Sequence, residues 1–541
     1  MAGLSPLNRA FTKIPSRAEK RDAVALRETF VDSGVAEQLD VIDHQVLYGR
    51  RGTGKTHAVS FLVAEVKTRG DVALNIDLRT VGSPDGVLDP SSAPLPQRAS
   101  RLLVDMLGQV RDGLMDAVLE DEDLIQDAAF VDKLDGLLAA ITNVQVSGDV
   151  ELSVEAERKD SAKSGGLVKA ALAPKPTLEA QLTAESSREG RDLLRETRRG
   201  AERLSLNFSD VARALRELAK TLSSHRIWLI LDEWSSVPRD IQPYLAEFLV
   251  RCVLPLQPFT VKITAIEQQS SFRATPREGV SIGIELGADV GANLALDDFM
   301  VFERNEDQAR DFFANLFFKH LTSGADGAFQ VRGLGTPADL IKIGFTDTRA
   351  FDELVRAAEG VPRDAIYIAA HAAMQARDGK ISVPIVRDSA RNWYQTDKAR
   401  ALRSQLESDR LLKWIIEKVI REKKARGFLV NERDADDPVL LSLFDARVLH
   451  IVRRGYSAQD HAGERFDVWV IDYGAYVDRI NTTYAPQGIL PFDGEDGALQ
   501  HIDLEVPVQD LRAIRRAILD LQEFYAATGI QAPQRRSSST R

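Results

Sequence analysis

The sequence holds a single cysteine, Cys252, among 541 residues, so it can form neither an intrachain disulfide nor a cysteine-ligated metal cluster. That cysteine lies in the apolar stretch 248–256, which points to a buried, inert thiol. Nowhere is there a run of about 18 apolar residues that could cross a bilayer, and the amino-terminal stretch lacks the apolar core of a secretory signal. The expectation is a cytoplasmic protein with no membrane partner. An excess of positive charge is also missing, since 70 Lys and Arg stand against 81 Asp and Glu, for a formal net charge of -11. A surface that is everywhere a phosphate-binding field is excluded, and any nucleic-acid contact must be local. Repeats of solenoid period are absent too.

What is present is enough apolar residue, 44% of the chain, to fill several cores, and the length calls for roughly two to four domains. Residues 1–40 read as a charged helical segment whose apolar positions Val24, Leu26, Phe30 and Val31 could cap a neighbouring domain. From His44 the pattern changes to a short apolar strand at 45–48, a Gly-rich turn, a helix from Lys55 to about Thr68 and a second strand at 72–78. Strand, loop and helix in that order belong to a parallel α/β sheet. The stretch 85–222 is far longer than a crossover needs and must contain an insertion. Within it, 98–140 has helical spacing. Val150, Leu152 and Val154, then Leu178, Ala180 and Leu182, alternate with polar residues as in a two-stranded hairpin.

A helix capped by Ser209 leads to a strand at 226–231, followed by a helix at 242–251 and a strand at 259–266. Strand-like pieces at 281–286 and 299–302 complete a sheet-bearing core spanning 41–305, and 306–400 reads as a helical lid. Over 405–480, a helix at 411–424, an apolar piece at 427–430, a helical run at 439–452 and an alternating segment at 466–471 fit a winged-helix-like module. A helical extension at 481–530, with its helix near 508–525, and a polar tail at 531–541 end the chain. The expected class is α/β, with a P-loop core, a lid, an inserted helical and hairpin region and the carboxy-terminal module.

The sharpest chemical signal is Gly49-Arg50-Arg51-Gly52-Thr53-Gly54-Lys55-Thr56, which satisfies G-x-x-x-x-G-K-[ST] between an expected strand and an expected helix. Glycines let the backbone wrap phosphates, the helix amino terminus adds positive potential, Lys55 reaches the terminal phosphates and the Thr56 hydroxyl suits Mg²⁺. His57 adjoins this candidate ATP-binding set on the helix, where packing is a more ordinary role for it than catalysis. The second signal is the apolar strand ending in Asp232-Glu233. Asp232 is the expected Mg²⁺ partner and Glu233 the general base that polarises the attacking water. A solvated strand-end carboxylate is the bland alternative for Glu233.

Taken together, YGRRGTGKTH, LILDEWSSVP, the segment Gly360 to Ala365 and the winged-helix-like end resemble the AAA+ ATPases of the initiator type, the origin-recognition and cell-division-cycle group. The resemblance spans about residues 20–480. It implies that Arg363 of GVPRDA is the lid arginine that approaches the γ-phosphate. Pro362 in a first helical turn supports the same placement. It also implies a polar residue at the end of the strand 259–266, with Thr264, Glu267 and Gln268 as candidates, and a finger arginine offered to a neighbouring subunit, with Arg251, Arg273 and Arg277 as candidates. Trp234, after the acidic pair, is expected in the core.

The basic residues Lys418, Arg421, Lys423, Lys424 and Arg426, with Arg453, Arg454 and Arg465, could meet DNA, but Asp434, Asp436, Asp437, Asp445, Asp460 and Glu464 share the module. The expected partners are ATP with Mg²⁺, and beyond them duplex DNA, an effector protein or further copies of the chain. Three functions compete: an initiator-like ATPase switch, a signal-transduction ATPase that binds a protein instead of DNA, and a small-molecule P-loop kinase.

Overall fold

A computed structural model describes residues 3–532 apart from 18–20, 22, 83–93, 121–128, 142–143, 157–193, 205–206, 222–224, 278, 299–304, 324–330, 332, 403–404, 423–425, 458–462 and 481–515. The core strands are short apolar runs bounded by polar turns. In chain order they are β1 (Gln45–Tyr48) and β2 (Val72–Asp77), then the inserted hairpin β3 (Val144–Ala156) and β4 (Leu194–Leu204), then β5 (Ile227–Asp232) and β6 (Phe259–Ala265). A small hairpin, β7 (Arg273–Arg277) and β8 (Val280–Gly283), precedes β9 (Gly291–Ala295). The main sheet has the order β2-β5-β6-β1-β9 with every neighbour parallel. All residues of β1, β5 and β6 are buried, as a parallel sheet covered on both faces requires.

One face carries the helices Leu95–Glu120, Phe208–Thr221 and Gln242–Cys252, and the other carries Lys55–Thr68 through Val59, Leu62 and Val66. Because β6 lies between β1 and β5, the turn after β1 and the acidic end of β5 open onto one crevice at the carboxyl ends of the strands, where such sheets place their ligands.

Two expectations about the strands change. The fifth strand of the sheet is β9, not the 281–286 piece, whose first half belongs to the small β7–β8 hairpin. The 299–302 piece lies outside the described residues. In the insertion, the first hairpin arm covers Val150 to Val154 as read, but its partner is β4. The Leu178 to Leu182 segment lies outside the described residues.

The lid comprises the helices Glu306–Thr322, Pro337–Gly344, Thr348–Ala358, Pro362–Ala376 and Val383–Trp393. Its apolar core takes in Leu7, Ala10 and Phe11 of the amino-terminal helix Pro6–Phe11, whose Phe11 ring stands edge-on to Phe317 at 5.4 Å and to Phe345 at 6.3 Å. Among the described residues of the first forty there are three short helices, which lean on other elements for their burial. A π-helical turn, Tyr394–Lys398, joins the lid to the carboxy-terminal module.

That module contains the helix Leu406–Trp414 with a π-helical continuation to Arg421, β10 (Gly427–Asn431), the helix Pro438–Asp445, β11 (Leu449–Tyr456), β12 (Phe466–Ile471) and the helix Tyr473–Ile480. Its sheet runs β11-β12-β10-β13, β13 (Ile518–Leu519) being followed by the helix Leu521–Thr528. The expected helical run to Val452 stops at Asp445. Leu449, His450 and Ile451 pair instead with β12, tertiary pairing overriding the local spacing. The link between β10 and β11 holds a 3₁₀ turn and one helix.

Candidate nucleotide site

The turn after β1 is shaped by its own side chains. A Cβ added to Gly49 would lie 2.5 Å from Thr53 Oγ1, and Gly52 has φ +91 with a Cβ position 2.9 Å from the Arg363 Cβ, so both positions demand glycine. Thr53 Oγ1 donates to the Arg50 carbonyl at 2.9 Å, and Lys55 Nζ donates to the carbonyls of Gly49 at 2.8 Å and Arg50 at 3.2 Å. Burial pulls the Lys55 ammonium below its ordinary pKa, against the opposing fields of Glu233, Asp297 and Asp232. The helix Lys55–Thr68 starts at Gly54, φ +100, without a side-chain cap, so its first-turn N–H groups face the turn as anion donors.

Asp232 is the hub of the polar cluster. Thr56 Oγ1 donates to its Oδ2 at 2.9 Å, and Thr264 Oγ1, from the intervening β6, donates to its Oδ1. Thr264 Oγ1 also accepts the Glu233 N–H at 3.0 Å, which fixes Glu233 in a left-handed backbone, φ 59. A non-glycine residue held at positive φ beside a cavity stores strain of the kind found at functional sites. The hard oxygens of Thr56 and Asp232 fit Mg²⁺, which takes one or two protein ligands and leaves the rest to phosphate and water. Among the described residues no group of three or more His, Cys, Asp or Glu forms a metal cage.

A cavity of about 330 Å³ adjoins the cluster, a size suited to a small ligand. Arg51, Gly52, Gly54, Lys55, Thr56 and His57 form one wall, Glu233 another, and Pro362, Arg363 and Ile366 of the lid a third. The Arg363 N–H donates to the Gly52 carbonyl at 3.3 Å, which seats the start of the helix Pro362–Ala376 on the phosphate turn. Sequence reasoning missed the fourth wall, Pro15, Ser16, Arg17, Arg21 and Leu26, with Leu316 and His320 beside it. Arg21 Nη1 bonds Thr29 Oγ1 at 2.8 Å and His320 Nδ1 at 3.0 Å. Burial and Arg21 lower His320 to about 3, so its imidazole is neutral and accepts that bond.

Not every residue of the expected set faces the cavity. Gly49, Thr53 and Asp232 are absent from its lining, and Arg50 turns away altogether. The Arg50 N–H and Nε bond Asp297 at 2.9 and 2.6 Å, its Nη1 meets His450 Nδ1 at 2.5 Å, and its guanidinium lies 5.0 Å from the Phe444 ring centre. His57 contributes ring surface to the wall, while its Nε2 bonds the Leu26 carbonyl at 2.7 Å. Of the three candidates at the end of β6, Thr264 touches Asp232, whereas Glu267 pairs with Arg454 at 2.8 Å. Trp234 is fully buried, stacked on Phe272 at 4.9 Å, in the core as expected. Arg251 pairs with Glu247 and Arg273 with Glu285 on the surface, and nothing in the geometry selects a finger arginine.

The basic residues of the module are largely engaged. Lys418 pairs with Glu422 at 3.4 Å, Arg426 is buried against Glu359, and Arg453 lies over Tyr456 at 5.6 Å. Lys423 and Lys424 fall outside the described residues. The helix Pro438–Asp445 contains no basic residue.

No family model and no curated protein matches the chain. Two solved structures are similar to it over most of its length. Cdc6p from Pyrobaculum aerophilum is 11% identical, with 89% of this chain and 97% of that one covered, at a TM-score of 0.31. The Orc1 protein of Aeropyrum pernix, in complex with DNA, is 12% identical, with 88% and 96% covered, at a TM-score of 0.29. The fold itself is α/β, a five-stranded parallel sheet with a helical lid and a second, four-stranded sheet in the carboxy-terminal module. At TM-scores this low the likeness carries no argument, and both the architecture and the chemistry of the site rest on the elements and residues described above. Among the described residues no helix is long and apolar enough to cross a membrane.

Proposed function

We propose that the chain binds ATP with Mg²⁺ in the cavity between the phosphate turn and the lid, hydrolyses it, and uses the nucleotide to set the position of lid and module. One observation carries this reading: Lys55, Thr56 and Glu233 line a single cavity that Arg363 closes from the lid, and Asp232 and Thr264 stand directly behind them, bonded to Thr56 and to the Glu233 N–H from the neighbouring strand ends. Lys55 and the uncapped first-turn N–H groups hold the phosphate tail. Thr56 and Asp232 hold the metal, which when bound neutralises developing charge on the phosphates. Glu233 polarises water, oriented by the Thr264 hydroxyl through its backbone N–H. Arg363 adds positive charge from the lid side, where it would meet the charge spread over the oxygens of the transferred phosphoryl group and the leaving phosphate.

Duplex DNA is the partner that the initiator resemblance implies, and the exposed basic side chains of the module, Lys418, Arg453, Arg454 and Arg465 among them, are the ones to meet it. The test is binding to duplex DNA at several salt concentrations. An affinity that falls with salt and is lost on removal of residues 405–541 supports DNA as the partner. Binding of equal strength without those residues contradicts it. For hydrolysis, the protein incubated with ATP and Mg²⁺ should release inorganic phosphate. Transfer of the phosphoryl group to a small-molecule acceptor would contradict the reading.

A further inference from the structure

We infer that His450 is a positioning residue for nucleotide: bonded to Arg50 of the phosphate turn, it latches the carboxy-terminal module and lid over a bound nucleotide and slows its release. This inference rests on the cavity being a nucleotide site. The contact begins inside the turn itself. Arg50 supplies the carbonyl that receives both Lys55 Nζ and Thr53 Oγ1, while its side chain leaves the core and enters the module. A pull on that guanidinium is a pull on the peptide that positions the lysine.

From His450 the polar contacts continue without a break to the lid. His450 Nε2 faces Asp472 Oδ2 at 3.3 Å, the same carboxylate takes Lys398 Nζ at 2.5 Å, and Lys398 reaches Asp364 at 2.9 Å. Asp364, which also pairs with Arg447, is the residue after Arg363. The phosphate turn and the lid arginine are thus joined a second time, through the module. Every group in this path is buried: Arg50 3%, His450 3%, Asp472 1%, Lys398 2% and Asp364 0% exposed. Charges so placed cannot be parted without leaving one of them unpaired in a poor solvent, so the latch is either made or fully open. The other core-to-module pair, Arg454 with Glu267, is at the surface and holds weakly. The cavity is present with the latch made, and Arg363, the neighbour of Asp364 at the end of the path, is part of its wall.

The protonation state is set by the surroundings. Burial and the Arg50 charge lower the His450 imidazole to about 3, with Lys398 acting the same way against Asp472. Neutral His450 accepts from Arg50 at Nδ1 and donates to Asp472 from Nε2. An open latch returns the ring to an ordinary value of about 6.5. Acid therefore favours the open form. The charged groups that face the ring are Arg50 from the core, Lys398 from the π-helical turn and Asp472 from the module; behind them Asp297 pairs with Arg50, Asp364 of the lid with Lys398, and Arg447 with Asp364 and Asp397.

The experiment is stopped-flow release of a fluorescent ATP analogue from the full-length protein, carrying Glu233→Gln to suppress turnover, across pH 5.5 to 7.5. Loss of a hydrogen bond to a buried charge predicts about tenfold faster release for His450→Ala at pH 7.5. His450→Gln, whose amide can accept from Arg50 and donate to Asp472, should restore release to within about threefold of the parent. Parental release should quicken about tenfold from pH 7.5 to 5.5, and His450→Gln should lose that slope. Parental release rates in His450→Ala, or an unchanged pH slope in His450→Gln, would overturn the latch. In the second case His57 or His320 would own the titration. A parent that binds no nucleotide would instead overturn the functional reading beneath it.

Discussion

The phosphate turn and the carboxy-terminal module achieve order by opposite means. The turn is local: glycines at Gly49 and Gly52 that tolerate no Cβ, and hydroxyl and ammonium groups bonded to carbonyls within six residues. The module is held from afar, with Lys398, Asp364, Arg447 and Asp472 brought together across up to 108 positions of sequence and buried almost completely. A local device is written in adjacent letters and acts on whatever enters it. A distributed device exists only when three elements are docked, so it can report whether they are.

The comparison is sharpened first at the chemical step. Glu233→Gln should bind ATP normally and lose about 10²–10⁴-fold in turnover, as removal of a general base does, measured by phosphate release against equilibrium binding. Turnover at the parental rate would remove Glu233 from the role. On the distributed side, Lys398→Met leaves Asp364 and Asp472 without their shared cation. It should cost about 3–5 kcal/mol of the stability of lid and module in denaturant unfolding, while the separate Asp232 cluster is untouched. A loss below about 1 kcal/mol would mean that Arg447 and His450 suffice.

Acid tests both regions at once. His320 and His450 have folded values lowered to about 3, from an unfolded value of about 6.5, so the unfolded chain takes up protons first. The stability they contribute is fully present above about pH 6.5 and is lost as the pH falls towards 3. Between pH 6.5 and 5.5 the two together should remove about 2 kcal/mol, read from urea midpoints. His320→Gln and His450→Gln should each halve that slope. The smallest effect is expected at Gly52→Ala, where positive φ and the Arg363 side chain both oppose a methyl group. A strain of about 1 kcal/mol should appear as an unfolding free energy lowered by that amount, together with weaker nucleotide binding.

Much of the core was legible because each of its signals is short in sequence. β1, β2, β5 and β6 fall within a residue or two of their expected bounds, since apolar runs bounded by polar turns have few other ways to be buried. The convergence of Thr56, Asp232 and Thr264 is a consequence of the order of those strands. What the sequence concealed is what depends on remote partners. β9 is a modest segment, Gly291–Ala295, that becomes a strand because β1 offers an edge. His450 looked helical by spacing and is a strand residue because β12 pairs with it. Arg50 reads as one of two interchangeable arginines of the turn. Only Arg51 lines the cavity, because Asp297, His450 and Phe444 draw its neighbour away. The wall from Pro15 to Leu26 had no motif at all.

The central claim is that the turn Gly49 to Thr56 grips a nucleotide's phosphates with Lys55 as its cation. Titration calorimetry of the full-length protein with ATP and Mg²⁺ tests it most directly, with Lys55→Ala as the companion. Saturable binding by the native chain, reduced at least about 100-fold in Lys55→Ala, is the predicted result. No heat from the native chain, or equal affinity in the two proteins, would contradict the account.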